Sequence, residues 1–130
     1  MEAKEAQKII SEFLRLMYSV GDTYDANYDI VGRTNEETQD LLHEMELGNL
    51  NAVQLTQTAK RLKVVRQERR KFTNENRYLK HIKDFTKGNP QFIARVKQLS
   101  FNLQNVTDTI GAEVYTPRVC RDLKLCSGGN

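Results

Sequence analysis

Lys63, Arg66, Arg69, Arg70, Lys71, Asn76, Arg77 and Lys80 all fall in a stretch, 51–87, that contains neither glycine nor proline. Arginine grips phosphate or carboxylate through a planar fork of donors, and lysine adds a compact point charge. Each phosphate contact also releases condensed counterions from a nucleic acid. Asn76 and Arg77, with Asn74, have the donor and acceptor pattern to read base edges from a helix in a major groove. Tyr78 is the one aromatic on that face, and no zinc-finger, RNP-type or KH-type motif accompanies it. The charge has three possible destinations: a nucleic acid, an acidic protein, or the acidic first half of the same chain.

That last option follows from how the charge is distributed. The net charge of +3 conceals a segregation. Residues 1–56 carry four basic and eleven acidic side chains, and residues 57–97 carry thirteen basic and three acidic ones. The acidic segment offers Asp22, Asp25 and Asp29 along one helix face, then Asp40 and Glu44. With no second carboxylate cluster and no glycine-bearing calcium loop, these read as a solvated acidic face rather than as cation ligands. An inhibitor of a nucleic-acid-handling enzyme would use such a face, over 22–46, as a nucleic-acid mimic.

Catalytic patterns are missing from the sequence. His43 and His81 have no serine or cysteine nucleophile beside them, and there is no P-loop, GxGxxG or HExxH. Cys120 and Cys126 lie in a polar tail, too few for a zinc site, and read as reduced thiols. The expectation is a protein that is not an enzyme and uses no cofactor and no metal. No apolar run approaches the ~20 residues that span a bilayer, and the acidic start lacks a signal pattern, so a cytoplasmic location away from membranes is expected.

Apolar spacing organises 130 residues into an all-α helical bundle or hairpin of about four helices. The expected helices are 2–31, 35–47, 52–87 and 90–110, in a helical domain 1–112, followed by an extended tail 113–130. Gly32 ends the first stripe, and Thr34-Asn35-Glu36-Glu37 reads as a capping box for the second helix. Gly48 stops that helix. Asn51 with Gln54 starts the long basic one, Gly88 stops it, and Asn89-Pro90 starts the last.

The long helix has a heptad seam. Its first positions are Leu55, Leu62, Arg69, Asn76 and Lys83, and its fourth positions are Thr58, Val65, Phe72, Leu79 and Thr86. Three polar first-position residues in a row mean that the seam is wet or paired with polar partners, and homo-oligomerisation through it is one option beside packing within the chain.

Three short motifs resemble a known group. Asp40-Leu41-Leu42-His43, Arg66-Gln67-Glu68-Arg69-Arg70 and Tyr115-Thr116-Pro117-Arg118-Val119, in this order and spacing, resemble small helical proteins encoded by phages and prophages of Gram-positive bacteria. The likeness covers roughly 38–123 and omits the acidic first helix with its tyrosines. It implies a phage accessory protein in a bacterial cytoplasm and carries over no catalytic or binding residues. The function expected is a non-enzymatic inhibitor or adaptor that binds a host or phage protein through the basic helix, the alternative being DNA or RNA binding through 60–80.

Overall fold

The computed structural model describes residues 1–113, so the tail motif and both cysteines lie outside the described residues. Three helices account for nearly all of it: α1, Ala3–Leu47; α2, Ala52–Gly88; and α3, Pro90–Ala112. The all-α expectation is correct. The count of four is not, because the expected helices 2–31 and 35–47 are one 45-residue helix.

The apparent capping box at Thr34 explains the difference. A cap would leave the Thr34 hydroxyl accepting from a backbone N–H at a helix start. Instead Thr34 is fully buried, and its Oγ1 donates to the Val31 carbonyl at 2.8 Å. Thr38, one turn on, is also buried and donates to the Thr34 carbonyl at 2.8 Å. Both hydroxyls are satisfied by the preceding turn, so the helix runs through. Gly32 is helical too, with nothing within 4 Å of where a Cβ would stand.

The real breaks have local causes. At Gly48 an added Cβ would lie 2.4 Å from the Glu44 carbonyl oxygen, so the chain can leave α1 only through a residue without one. Asn51 then caps α2 as its type and spacing suggest. Its side chain accepts from the Gln54 N–H at 2.8 Å, and the Gln54 side chain accepts from the Asn51 N–H at 3.1 Å. Gly88 is the last helical residue rather than the stop beyond it. Asn89 closes α2, its side chain donating to the Phe85 carbonyl at 2.9 Å. Pro90 opens α3 as expected, and α3 runs on through Gly111 to Ala112.

Packing divides the described residues into two compact units, residues 16–90 and residues 1–15 with 91–113. The first is an antiparallel hairpin of α1 and α2. On α1 the covered positions are Met17, Val20, Tyr24, Asn27, Val31, Thr34, Thr38, Leu41 and Met45, steps of three and four throughout. On α2 they include Thr58, Leu62, Val65, Phe72, Asn76, Leu79, Lys83 and Thr86. Met17 Sδ accepts from Thr86 Oγ1 at 3.4 Å, and ten residues along each helix Asn27 meets Asn76. The long-helix seam therefore packs against its own chain.

The three polar seam residues of α2 all find partners on α1. Asn27 Nδ2 donates to Asn76 Oδ1 and Glu75 Oε1, both at 3.0 Å, while Asn76 Nδ2 donates to the Tyr24 carbonyl at 3.0 Å. Arg69 Nε donates to Asn35 Oδ1 at 2.7 Å. Lys83 Nζ reaches Asp25 Oδ1 at 3.2 Å and lies 4.4 Å from the Tyr24 ring centroid.

The second unit packs the start of α1 on α3. Leu14 and Ile93 are buried, while Ala3, Ala6, Ile10, Phe13, Val96, Ser100, Leu103 and Thr107 are half-buried. Gln7 Nε2 donates to Gln104 Oε1.

Replacing Asn27 by leucine strands the Asn76 and Glu75 groups that it serves and is expected to cost about 1–3 kcal/mol. Adding Asn76→Leu should return much of that loss, a coupling of about 0.5–3 kcal/mol readable from a double-mutant cycle in urea. Glycine substitutions should split by position. Gly32→Ala, in an open helix interior, is expected to stabilise by about 1 kcal/mol. Gly48→Ala, which drives a methyl into a backbone oxygen, should destabilise by about 1–3 kcal/mol in the same urea titration.

Candidate functional site

The α1–α2 register decides which side chains share a surface. Label the heptad a to g, with a and d in the seam. In an antiparallel pair the e positions of both helices then line one side and the g positions the other. On α2 the b and e positions from 63 to 80 are Lys63, Arg66, Arg70, Thr73, Arg77 and Lys80, of which the five basic ones are exposed. The e and b positions of α1 across from them are Asp25, Tyr28, Gly32, Asn35, Gln39 and Leu42. Over this span that side holds five cations and one carboxylate, Asp25, which Lys83 engages from the seam. By helix rise the cations cover about 26 Å.

Arg69 joins them from the seam. Its Nε is committed to Asn35, which leaves both terminal nitrogens of the guanidinium for another acceptor. Arg66 and Arg69, with Asn35, Thr38, Gln39 and Leu42, line an open depression of about 510 Å³ between the helices. A second, of about 470 Å³, is lined on α2 by Lys63, Arg66, Arg69 and Arg70 among others. Arg66 and Arg69 border both. This is a setting for an oxyanion with two acceptor oxygens, such as a phosphate group, because one guanidinium is held in place before anything binds.

Tyr28 lies beside this patch and is 69% exposed. It places an exposed ring on the cationic side, whereas Tyr78 of α2, at a c position, falls toward the other side. Sequence reasoning missed Tyr28 because it sits on the acidic helix, and the available signal was a tyrosine at a heptad flank position one step before Asn35. Gly32 adds open backbone on the same side. Thr73 Oγ1, beneath the cations, is buried without a hydrogen-bond partner, and nothing in the structure explains it.

The other candidate residues are placed differently. Asn76 faces the seam, where its amide is consumed by Tyr24 and Asn27, so it does not reach outward to a base. Lys71 is exposed on the opposite side, its Nζ 5.4 Å from the Phe72 ring centroid. Asp40 and Glu44 lie on that g side with Glu37, Glu68 and Glu75, and Arg33 pairs there with Glu68 at 3.3 Å. Asp22 and Asp29 point away from α2 at exposed f positions. Asp25, at a b position, is exposed like them and also pairs with Lys83.

Internal neutralisation is therefore slight. Among the described residues only Arg33–Glu68 and Lys83–Asp25 form ion pairs. Among the described residues, Lys63, Arg66, Arg70, Arg77 and Lys80 have no carboxylate within pairing distance. Among the described residues no group of three or more His, Cys, Asp or Glu side chains could hold a metal ion, and no helix is long and apolar enough to cross a membrane. In comparisons with known proteins, no family, no curated protein and no solved structure matches this chain.

Proposed function

We propose that this chain is a non-enzymatic nucleic-acid-binding protein whose α1–α2 hairpin takes a phosphate backbone along Lys63, Arg66, Arg69, Arg70, Arg77 and Lys80. One observation carries the reading: five exposed cations, none of them ion-paired among the described residues, share one side with Tyr28 and with the pre-positioned Arg69, and the one carboxylate there, Asp25, is engaged by Lys83. Backbone contacts of this kind supply affinity without sequence information. The inward use of Asn76 agrees with that, since it removes the best base reader from the face. A tyrosine beside a cationic track favours single-stranded segments, because every base offers a ring to stack on. The phage resemblance supports an accessory role in a bacterial cytoplasm, where such a protein would coat or hold nucleic acid.

A protein-directed role as inhibitor or adaptor is the second reading. The acidic side favours it: Glu37, Asp40, Glu44, Glu68 and Glu75 gather opposite the cations, and a basic protein could dock there. The two readings use different sides of the hairpin and separate by mutation.

Titrating labelled single-stranded RNA and duplex DNA by fluorescence anisotropy tests the first. If about five phosphates are neutralised, the log–log salt slope on duplex is about −4.5, so binding weakens roughly 500-fold between about 50 and 200 mM salt. Arg66→Ala with Arg70→Ala should reduce the size of that slope by about 1.8 while helicity is unchanged. Asp40→Ala with Glu44→Ala should leave it alone. No binding at about 50 mM salt, or a slope indifferent to Arg66 and Arg70, would reject the proposal.

A further inference from the structure

The unit formed by the start of α1 and α3 allocates its side chains in an unusual way. In α3 the positions turned toward α1 include Ser100 and Thr107, both half-buried. The residues just before them, Leu99 and Val106, are larger and wholly apolar, yet 45% and 49% exposed. They occupy successive g positions of the heptad whose a and d positions are Ile93, Val96, Ser100, Leu103, Thr107 and Ile110. A helix whose apolar face covers a, d and g is patterned for a bundle with more than one neighbour, whereas a simple two-helix seam needs only a and d. In α1 the matching g residue is Ile9, 55% exposed. In antiparallel packing the g positions share a side, and the Gln7–Gln104 hydrogen bond between e positions marks the opposite one. One side of this unit thus carries Ile9, Leu99 and Val106.

The rims of that side are charged in a self-complementary way. Next to Ile9, at i−4 and i+3, stand Glu5 and Glu12, both exposed. Next to Leu99, at i−4, stands Arg95, also exposed. None of the three is ion-paired among the described residues. A two-fold axis parallel to the helices would lay α3 of one copy over α1 of another. Leu99 and Val106 would then meet Ile9, and Arg95 would come within about a helical turn of Glu12, twice over. An isologous interface needs this kind of patch, one that complements itself.

We infer that the α1–α3 unit is a self-association surface, and that its occupant is the same side of a second copy, closing a four-helix arrangement. Four helices in a closed bundle give each apolar face two neighbours, which the single chain does not provide.

Sedimentation equilibrium from about 1 to 100 µM, a range that spans micromolar affinity, reads the state directly. The expected result is a species of twice the 15.0 kDa chain mass. Leu99→Glu with Val106→Glu should yield monomer with unchanged helical circular dichroism. Arg95→Glu and Glu12→Arg should each weaken association by about 10-fold or more, and the two together should restore it, since the swapped charges again meet across the axis. A monomeric wild type throughout the range, or charge reversals that add rather than cancel, would overturn the inference. Because Leu99, Val106 and Arg95 lie outside the cationic side, nucleic-acid affinity per chain at low saturation serves as an independent readout.

Discussion

The rung formed by Asn27 and Asn76 fixes the arrangement of the hairpin. It is polar, largely covered, and satisfied only in one alignment: Asn27 serves Asn76 and Glu75, and Asn76 serves the Tyr24 carbonyl. Sliding α2 by three or four residues would set the Asn27 amide against Leu79 or Phe72, leaving its donors without acceptors. Sliding by a whole heptad would bring Lys83 or Arg69 opposite and separate Lys83 from Asp25. Burying an amide without partners costs on the order of 1–3 kcal/mol by mutational measures, so each slip is penalised. An apolar seam would have been tolerant of slippage, whereas this one gives up some burial for a single register.

Register in turn decides where the charge goes. The α2 cations at b and e positions land beside a stretch of α1 made of Asp25, Tyr28, Gly32, Asn35, Gln39 and Leu42, while the other acids of α1 fall mainly at c, f and g. A chain with an acidic arm and a basic arm could have zipped the two together. This one makes two exposed ion pairs among the described residues instead. Pairs at such exposure contribute about 0–1 kcal/mol, so stability does not explain the placement. A row of like charges on one side is mildly unfavourable to the free protein. Under the proposed nucleic-acid reading, an external phosphate backbone neutralises it.

Much of this could be read from residue types, and the failures have physical reasons. The Asn51–Gln54 box is correct because nothing competes for either side chain. Thr34-Asn35-Glu36-Glu37 has the same lettering, but Thr34 is needed in the seam and its hydroxyl has an alternative acceptor in Val31, so the tertiary contact wins. The stepping Met17, Val20, Tyr24, Asn27, Val31, Thr34, Thr38, Leu41 was present all along. It goes unnoticed when only apolar residues are counted, since Asn27, Thr34 and Thr38 are the members that make it continuous. The same blindness makes Asn76 look like an outward reader. Polar residues at seam spacing are ambiguous until the partner helix is known, and so the polar first positions of α2 could be read as paired but not assigned partners. The cationic residues themselves were legible as a cluster. Their division between two sides, with Lys71 apart from Arg70, needed the register.

The two units spend their apolar residues in opposite ways. The hairpin places Asn27, Thr34 and Thr38 in its interior, and the hydrogen bonds of Asn27 to α2 specify one partner helix and one alignment. The α1–α3 unit places Ser100 and Thr107 inward and leaves Leu99 and Val106 out. Apolar burial is the larger and less directional of the two driving forces. Keeping the specific contacts within the chain and leaving larger apolar residues outside is the allocation expected where an intramolecular fold must be unique and the remaining burial comes from association. It also explains how α3 can set Ser100 and Thr107 among Ile93, Val96 and Leu103 against α1, since Leu99 and Val106 face the other way.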